Sequence, residues 1–540
     1  MKKILIVLMA LAIFAHAQSN ENKESFERLL RHVPQDTLYL LGNKNPLPKK
    51  ILDTQFAKIT QFVEAIDKFS ENNNTRQFFD QYYRFNKAFQ EDKLDVYGIK
   101  KDMQTLLYGY KLNPVLRMQL NDSKKFIAYI NSIAKESNES IPWEECGAYP
   151  CIHSPQGKQS QKIMLTLVVL ETELAIALYD ISDKNEMQTH LLEKALAKSY
   201  TPQKFNTFLQ ENNFLGYGDG FIDLDAIVSA IADKIKTNSS PKQQKEIEQC
   251  AKVVFDLSQN IPKLSIGFSQ LNQDHSLSSL ILHTKPDVSK HLKRLSNLSK
   301  LKERVSNPLI EMELNLNATE LTSALGALTN FIASSAQEHN CTQIQTTKLR
   351  QNVAMVTLSL AMGLEQVSEI YIALNDIEVS PQMVPAKISG IIQIVSKQPQ
   401  ALIAQLGMLS PSLANITFPK SGKTIDLKPL LTMLPPSIDS LKASIKDNII
   451  SLYLGDKPKM EKYSPKAHTL MRIKIDEERY YALFSKFMKK GMQNSKFSSP
   501  QQNEQTGSLI DMLYTSQNIL QQRVFVDDRG LVIDIAKDKK

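Results

Sequence analysis

Apolar and polar residues alternate with period two in several short runs, and each run gives way to a helical pattern. The clearest is Asn113-Pro-Val-Leu-Arg-Met-Gln-Leu-Asn121. Leu116, Met118 and Leu120 point one way, Arg117 and Gln119 the other, which predicts a half-buried strand. Asn307-Pro-Leu-Ile-Glu-Met-Glu-Leu-Asn315 repeats it with five of nine positions identical. Phe126, Ile127, Ile130 and Ile133 then share one helical face, and after the second copy Leu321, Ala324, Leu325, Leu328 and Phe331 do the same. Asp122-Ser123 and Asn317-Ala318-Thr319 stand where N-caps belong, since their side chains can accept orphan amide protons.

A third run, Leu470–Ile475, leads through a capping Asp476 into a helix with Tyr480, Tyr481, Leu483, Phe484 and Phe487 on one stripe. Gly220–Leu224 and Ile388–Val395 are weaker runs that also enter helices. Paired strands close the units: 163–169 with 173–179, 264–268 with 277–282, 441–445 with 449–454, and 523–526 with 531–536, the last around Asp527-Asp528-Arg529-Gly530. Unit starts near 113, 220, 307, 386 and 468 are spaced by 107, 87, 79 and 82 residues, too loose for a solenoid. The expected class is α+β, with repeated strand–helix–hairpin modules forming antiparallel sheets, helices on one face and two related halves. The expected domains are a mostly helical segment at 18–110, a first half at 111–300 and a second at 305–540. The polar, basic stretch Asn297–Asn307 supplies the main boundary, and Pro458–Pro465 a softer one. Asn72–Thr75 and Ser498–Gly507 read as polar loops.

Met1-Lys2-Lys3, an apolar run from Ile4 to Phe14 and Ala15-His16-Ala17 form the charged start, apolar centre and cleavage site of a secretory signal peptide at 1–17. The run is too short for a membrane anchor, which needs roughly 20 residues. No other long uncharged apolar segment follows, so no transmembrane span is expected after cleavage, and the short Lys-Lys start suggests a bacterial periplasm. The 540 residues carry 65 basic and 57 acidic side chains, a net charge of +8, which argues against a nucleic-acid partner or a polybasic membrane arm. Four cysteines in an oxidising compartment suggest disulfides. Cys146 and Cys151 enclose the turn-forming Gly-Ala-Tyr-Pro, favouring a local bridge that leaves Cys250 with Cys341. The spacing is not two-plus-two, no His pair accompanies it and no Cys-x-x-Cys occurs, so neither a metal site nor a redox motif is expected.

Val33-Pro-Gln-Asp-Thr37, leading into an apolar strand after the signal peptide and followed by modules of the Asn113–Asn121 type, resembles a group of exported bacterial proteins known as a domain of unknown function. The resemblance implies an exported, multi-module α+β protein and carries no catalytic residues.

Chemistry-bearing motifs are sparse. Gly422-Lys423-Thr424 ends like a phosphate loop, but Thr417 occupies the required first glycine, so a Lys-bearing turn is the better account. Asp219, Asp223 and Asp225 lie in a Gly-rich stretch that lacks calcium-loop spacing, so Asp225 is expected to cap a helix from Ala226. His275, His283 and His291 are too far apart for one metal. Trp143 is expected to pack on the local disulfide or adjacent core, the Tyr480–Phe487 stripe to be core, and the basic stretch Lys285–Arg304 to be a solvated helix face. No cofactor is expected, and no catalytic residue can be named. The leading expectation is a non-catalytic envelope protein that binds a partner protein or an apolar ligand. The rivals are a periplasmic carrier of lipid around an apolar cavity and an exported hydrolase with a dispersed site.

Overall fold

The structure is a computed structural model. It describes residues 23–540 except 46–47, 49–50, 52, 54–59, 61–82, 92, 101–102, 137–139, 157–162, 238–239, 364, 381–384, 410–418, 420–421, 428–437 and 494–517. The signal-peptide residues, Asn72–Thr75, Thr417 and Ser498–Gly507 therefore lie outside the described residues. The chain is mixed α+β, and the strand pairs described below are all antiparallel. Two compact units form, one from the chain up to Asp233 with Lys263–Ser278, the other from Lys234–Pro262 with Ser279–Lys540.

In the first unit, β1 (Tyr39–Asn43), β2 (Thr105–Tyr110) and β3 (Asn113–Gln119) precede the helix Ser123–Glu136. β4 (Glu144–Cys146), β5 (Tyr149–Gln156), β6 (Ile163–Val169) and β7 (Glu173–Asp180) follow, then the helices Lys184–Leu192 and Pro202–Asn212. β8 (Tyr217–Asp223), the helix Leu224–Thr237 as far as Asp233 and β9 (Lys263–Leu271) complete it, and the unit boundaries fall within that helix and within β10 (His275–His283). The strands lie in the order β4-β5-β6-β7-β3-β2-β1-β8-β9, antiparallel at every step. The apolar face of Ser123–Glu136 (Phe126, Ile130, Ile133) is buried against Met118, Leu120, Leu167 and Val169, as the period-two and period-3.6 patterns require. Asp122 Oδ1 starts this helix by accepting the amides of Lys124 and Lys125 at 2.9 and 3.0 Å. Where β8 crosses β1, only glycine fits: a Cβ on Gly220 would sit 1.9 Å from the Leu40 carbonyl oxygen.

The second unit contains β11 (Glu303–Val305), β12 (Ile310–Leu314), β13 (Val367–Val379), β14 (Pro385–Ser396), β15 (Ile425–Asp426), β16 (Leu441–Lys446), β17 (Ile449–Leu454), β18 (Met460–Lys462), β19 (Thr469–Asp476), β20 (Asn518–Val526) and β21 (Gly530–Lys539). Helices Ala318–Glu338 and Thr346–Gly363 stand between β12 and β13, Pro399–Leu409 after β14, and Glu477–Gln493 after β19. The order is β15-β16-β17-β14-β13-β12-β19-β20-β21, again antiparallel, with β11 and β18 as a separate pair.

Set β4, β10, β21 and the separate β11–β18 pair aside and number the remaining eight strands of each unit along the chain. Both units then read 4-5-6-3-2-1-7-8. In both, a helix follows the third and the seventh strand. The seventh strand ends in an aspartate that caps its helix: Asp223 Oδ1 accepts Ala226 N at 2.9 Å, and Asp476 Oδ1 accepts Arg479 N at 3.2 Å. The two Asn-Pro copies, however, occupy different places in this order: Asn113–Asn121 supplies the third strand of its unit, Asn307–Asn315 the first of its own. Both enter capped helices, and that shared local demand accounts for the likeness of the motifs.

Three expectations differ from what is observed. The segment 18–110 contributes β2 to the first sheet beside β1, which the extended Leu38–Leu41 piece predicts, because Leu106 and Tyr108 bury there with Leu40. The stretch Asn297–Asn307 lies inside the second unit, not between halves, because β11 pairs with β18. The polar faces of the Asn-Pro strands are buried: Arg117, Gln119, Glu311 and Glu313 are all at most 2% exposed.

Candidate functional site

Cys146 and Cys151 are joined, as are Cys250 and Cys341, with Cα separations of 5.7 and 4.7 Å. The first bridge spans the β4–β5 hairpin, where Gly147 takes the left-handed conformation of the turn (φ +62). Cys151 and His153 are two residues apart on β5 and so share a face. His153 Nε2 lies 3.4 Å from Cys146 Sγ and 3.8 Å from Cys151 Sγ. Its Nδ1 is 2.7 Å from Thr166 Oγ1, which in turn contacts the Tyr179 hydroxyl at 2.5 Å. The Gln188 amide nitrogen stands 2.8 Å from Nε2. An amide NH2 can only donate, so Nε2 carries the lone pair and Nδ1–H donates to Thr166. Burial, and then the nearby Lys184, lowers the pKa of His153. The two sulfurs and Nε2 form the one group of metal-capable side chains found among the described residues. The Cys151-Ile152-His153 alternation on a strand is the sequence signal for this cluster, and His153 is not among the candidates read from histidine spacing.

Two buried charge networks act as internal ties. In the first unit Arg117, 0% exposed, meets Glu173 at 3.4 Å, the Tyr108 hydroxyl at 3.2 Å and the carbonyls of His190 and Leu191 at 3.2 and 3.1 Å. Glu173 also contacts Arg28 and His32 at 3.2 and 3.4 Å. Burial first, then Arg117, pushes the pKa of both His32 and His190 down to about 3. The Glu173 carboxylate does not reverse this for His32, because two guanidinium groups already share it. In the second unit Arg304 lies between the rings of Tyr371 and Tyr463, at 4.5 and 4.3 Å from their centroids. It pairs with Glu313 at 3.1 Å and Glu369 at 3.3 Å, while Arg472 takes Glu311 at 2.7 Å. The Ser299 hydroxyl and Lys300 amide complete Glu369 at 2.6 and 2.9 Å. Arg304 therefore does not belong to a solvated basic face, as its position in Lys285–Arg304 had suggested.

The remaining candidates do not converge. Asp219 accepts the amides of Gly216, Tyr217 and Phe268, which ties β8 to the following strand; burial raises its pKa to about 6 against the lowering effect of those amides. Asp223, not Asp225, caps the helix, which starts at Leu224. His275 and His283 lie at opposite ends of β10, with His291 on the helix Pro286–Arg294. Gly422-Lys423-Thr424 runs directly into β15, with Gly422 in the left-handed conformation (φ +71). Trp143 packs on the core of the first unit and donates to Asn131 at 2.7 Å. Tyr480, Tyr481, Phe484 and Phe487 are half-buried, with Tyr480 stacked on Phe484.

A different feature emerges in the second unit. Helices Pro241–Ser258, Ala318–Glu338 and Thr346–Gly363 are gathered there, with Val253, Ala336 and Cys341 clustered around the Cys250–Cys341 bridge. Lys348 and Arg350 are the only charged residues on the helix Thr346–Gly363. Its middle carries the apolar run Val353-Ala354-Met355-Val356, of a kind normally covered. Yet Met355, Val356 and Leu358 are 62%, 50% and 62% exposed, and Leu328, Phe331 and Val254 are also exposed. No helix of the described residues is long and apolar enough to cross a membrane. No family model, curated protein or solved structure matches the chain.

Proposed function

We propose that this chain is an exported, non-catalytic binding protein whose second unit docks an apolar surface of a partner protein in the bacterial periplasm. The observation that carries this reading is the exposed apolar side of the helix Thr346–Gly363, with Met355 and Leu358 one turn apart. Exposed apolar patches mark interaction surfaces. A lipid carrier instead needs a concave apolar cavity, whereas these side chains stand on a helix surface. The basic start, short apolar run and Ala15-His16-Ala17 support export, and two disulfides suit an oxidising compartment. The shared 4-5-6-3-2-1-7-8 strand order supports descent of both units from one duplicated α+β unit, larger than the strand–helix–hairpin modules expected from the sequence.

The test is site-specific photo-crosslinking in cells at Val356 and Leu358, with Lys348 as the charged control on the same helix. A protein adduct at both apolar positions, absent at Lys348 and lost on Phe331→Asp, supports the reading. A lipid adduct transfers the role to a carrier, and no adduct at either position removes the docking surface.

A further inference from the structure

The geometry points to a zinc site, gated by thiol redox state, formed by Cys146, Cys151 and His153 when the bridge between the two cysteines is reduced. A tetrahedral ion with Zn–S near 2.3 Å and Zn–N near 2.0 Å holds its sulfur and nitrogen ligands about 3.6 Å apart. The two sulfur–nitrogen distances here are 3.4 and 3.8 Å. The imidazole therefore already stands where a zinc ligand would. The remaining adjustment is separation of the sulfurs, which opening of the bridge supplies, to roughly 3.8 Å in tetrahedral geometry.

The surroundings match those of a metal-binding histidine. Such a ring normally donates its far N–H to a hydroxyl, carboxylate or carbonyl, which fixes the tautomer and aims the other nitrogen at the ion. Thr166 Oγ1 plays that part for Nδ1, and the Tyr179 hydroxyl holds Thr166. Gln188 already treats Nε2 as an acceptor, and its side chain would yield that lone pair to the metal. Glu144 Oε2 lies 3.9 Å from Nε2 on a half-exposed side chain, within reach as a fourth ligand; water is the alternative.

The chemistry balances with a dithiol reductant. A dithiol gives two electrons and two protons to the Cys146–Cys151 bridge, becoming a disulfide and leaving two thiols. Zinc then binds both sulfurs as thiolates and the neutral imidazole, releasing two protons. Oxidation by a disulfide reverses the cycle and expels the ion. The bridged form holds no thiolate and so has no site for zinc.

The test uses the mature full-length chain. It is reduced with a dithiol under anaerobic conditions, desalted, loaded with Co2+ as the probe and then with Zn2+. The expected result is thiolate-to-cobalt charge-transfer absorption and one Zn2+ per chain after reduction, falling at least tenfold in the oxidised protein. His153→Ala should weaken zinc binding at least tenfold while the far-UV circular dichroism is unchanged. Cys146→Ser/Cys151→Ser, reduced in the same way, should lose the cobalt band, which separates this site from thiols freed at Cys250 and Cys341. Equal zinc in oxidised and reduced protein, or a cobalt band that survives the double serine variant, would overturn the proposal.

Discussion

Replacing Arg304 by methionine keeps most of the side-chain volume and removes one positive charge from a buried cluster. Glu311, Glu313 and Glu369 are each at most 2% exposed and face two cations, Arg304 and Arg472. After the change, Glu311 keeps Arg472, while Glu313 and Glu369 lose the guanidinium that pairs with them. At 3.3 Å and an effective dielectric of about 20, each lost contact is worth about 5 kcal/mol of Coulomb energy before desolvation is counted. Breaking a buried pair by removing one partner costs about 3–5 kcal/mol net, and that is the expected loss of stability at pH 7.5. Burial already raises the pKa of Glu369 in the intact protein. Arg304 works against that rise, so without it the Glu369 carboxyl is pushed higher still above its unfolded value. The folded variant thus binds protons that the unfolded chain does not. Its deficit shrinks as pH falls towards the unfolded carboxylate value and is full above the raised folded value. Urea unfolding followed by far-UV circular dichroism at pH 7.5 and pH 5.5 measures both quantities. Arg304→Met/Glu369→Gln should recover part of the loss at pH 7.5. A variant as stable as the parent at pH 7.5, or a deficit that does not change with pH, would refute the reasoning.

Other outcomes follow from the same structure. His32 and His190 titrate near 3 when folded and near 6.5 when unfolded, so stability falls as pH drops across that interval. At pH 5 each contributes about 2 kcal/mol to the loss, and His32→Gln/His190→Gln should flatten the pH dependence of urea midpoints accordingly. By loop-closure entropy, Cys250→Ser/Cys341→Ser should destabilise by about 4.5 kcal/mol and Cys146→Ser/Cys151→Ser by about 2, since the bridges close separations of 91 and 5 residues; thermal scans rank the two. Gly220→Ala should destabilise by about 3 kcal/mol or more, because its Cβ meets the Leu40 carbonyl, and so lower the urea midpoint read by Trp143 fluorescence. An unshifted midpoint would mean that β1 and β8 are not paired as described.

Local sequence pattern determined much of the secondary structure. The alternation in Asn113–Asn121 and Leu470–Ile475, the caps at Asp122, Asn317 and Asp476, and the turns between the paired strands are all present as read. Each depends on neighbours within a few residues, and the chain carries that information locally. The cysteine pairing was legible for a related reason: one short loop left a single remaining pair.

The tertiary structure decided what the polar side of each strand would meet. Arg117, Glu311, Glu313 and Arg304 read as solvated because period two separates apolar from polar residues but does not say what covers the second face. Oppositely charged residues far apart in the chain, such as Arg304 with Glu369, cover one another only once strand order is fixed. That order is a long-range property, and a short motif shared by Asn113–Asn121 and Asn307–Asn315 does not encode it. The same holds for the groups with chemical potential. His153 acquires its place beside two sulfurs from the β4–β5 hairpin and its tautomer from Thr166 and Gln188, on other elements. The exposure of Met355, Val356 and Leu358 on the helix Thr346–Gly363 is likewise set by its position in the second unit.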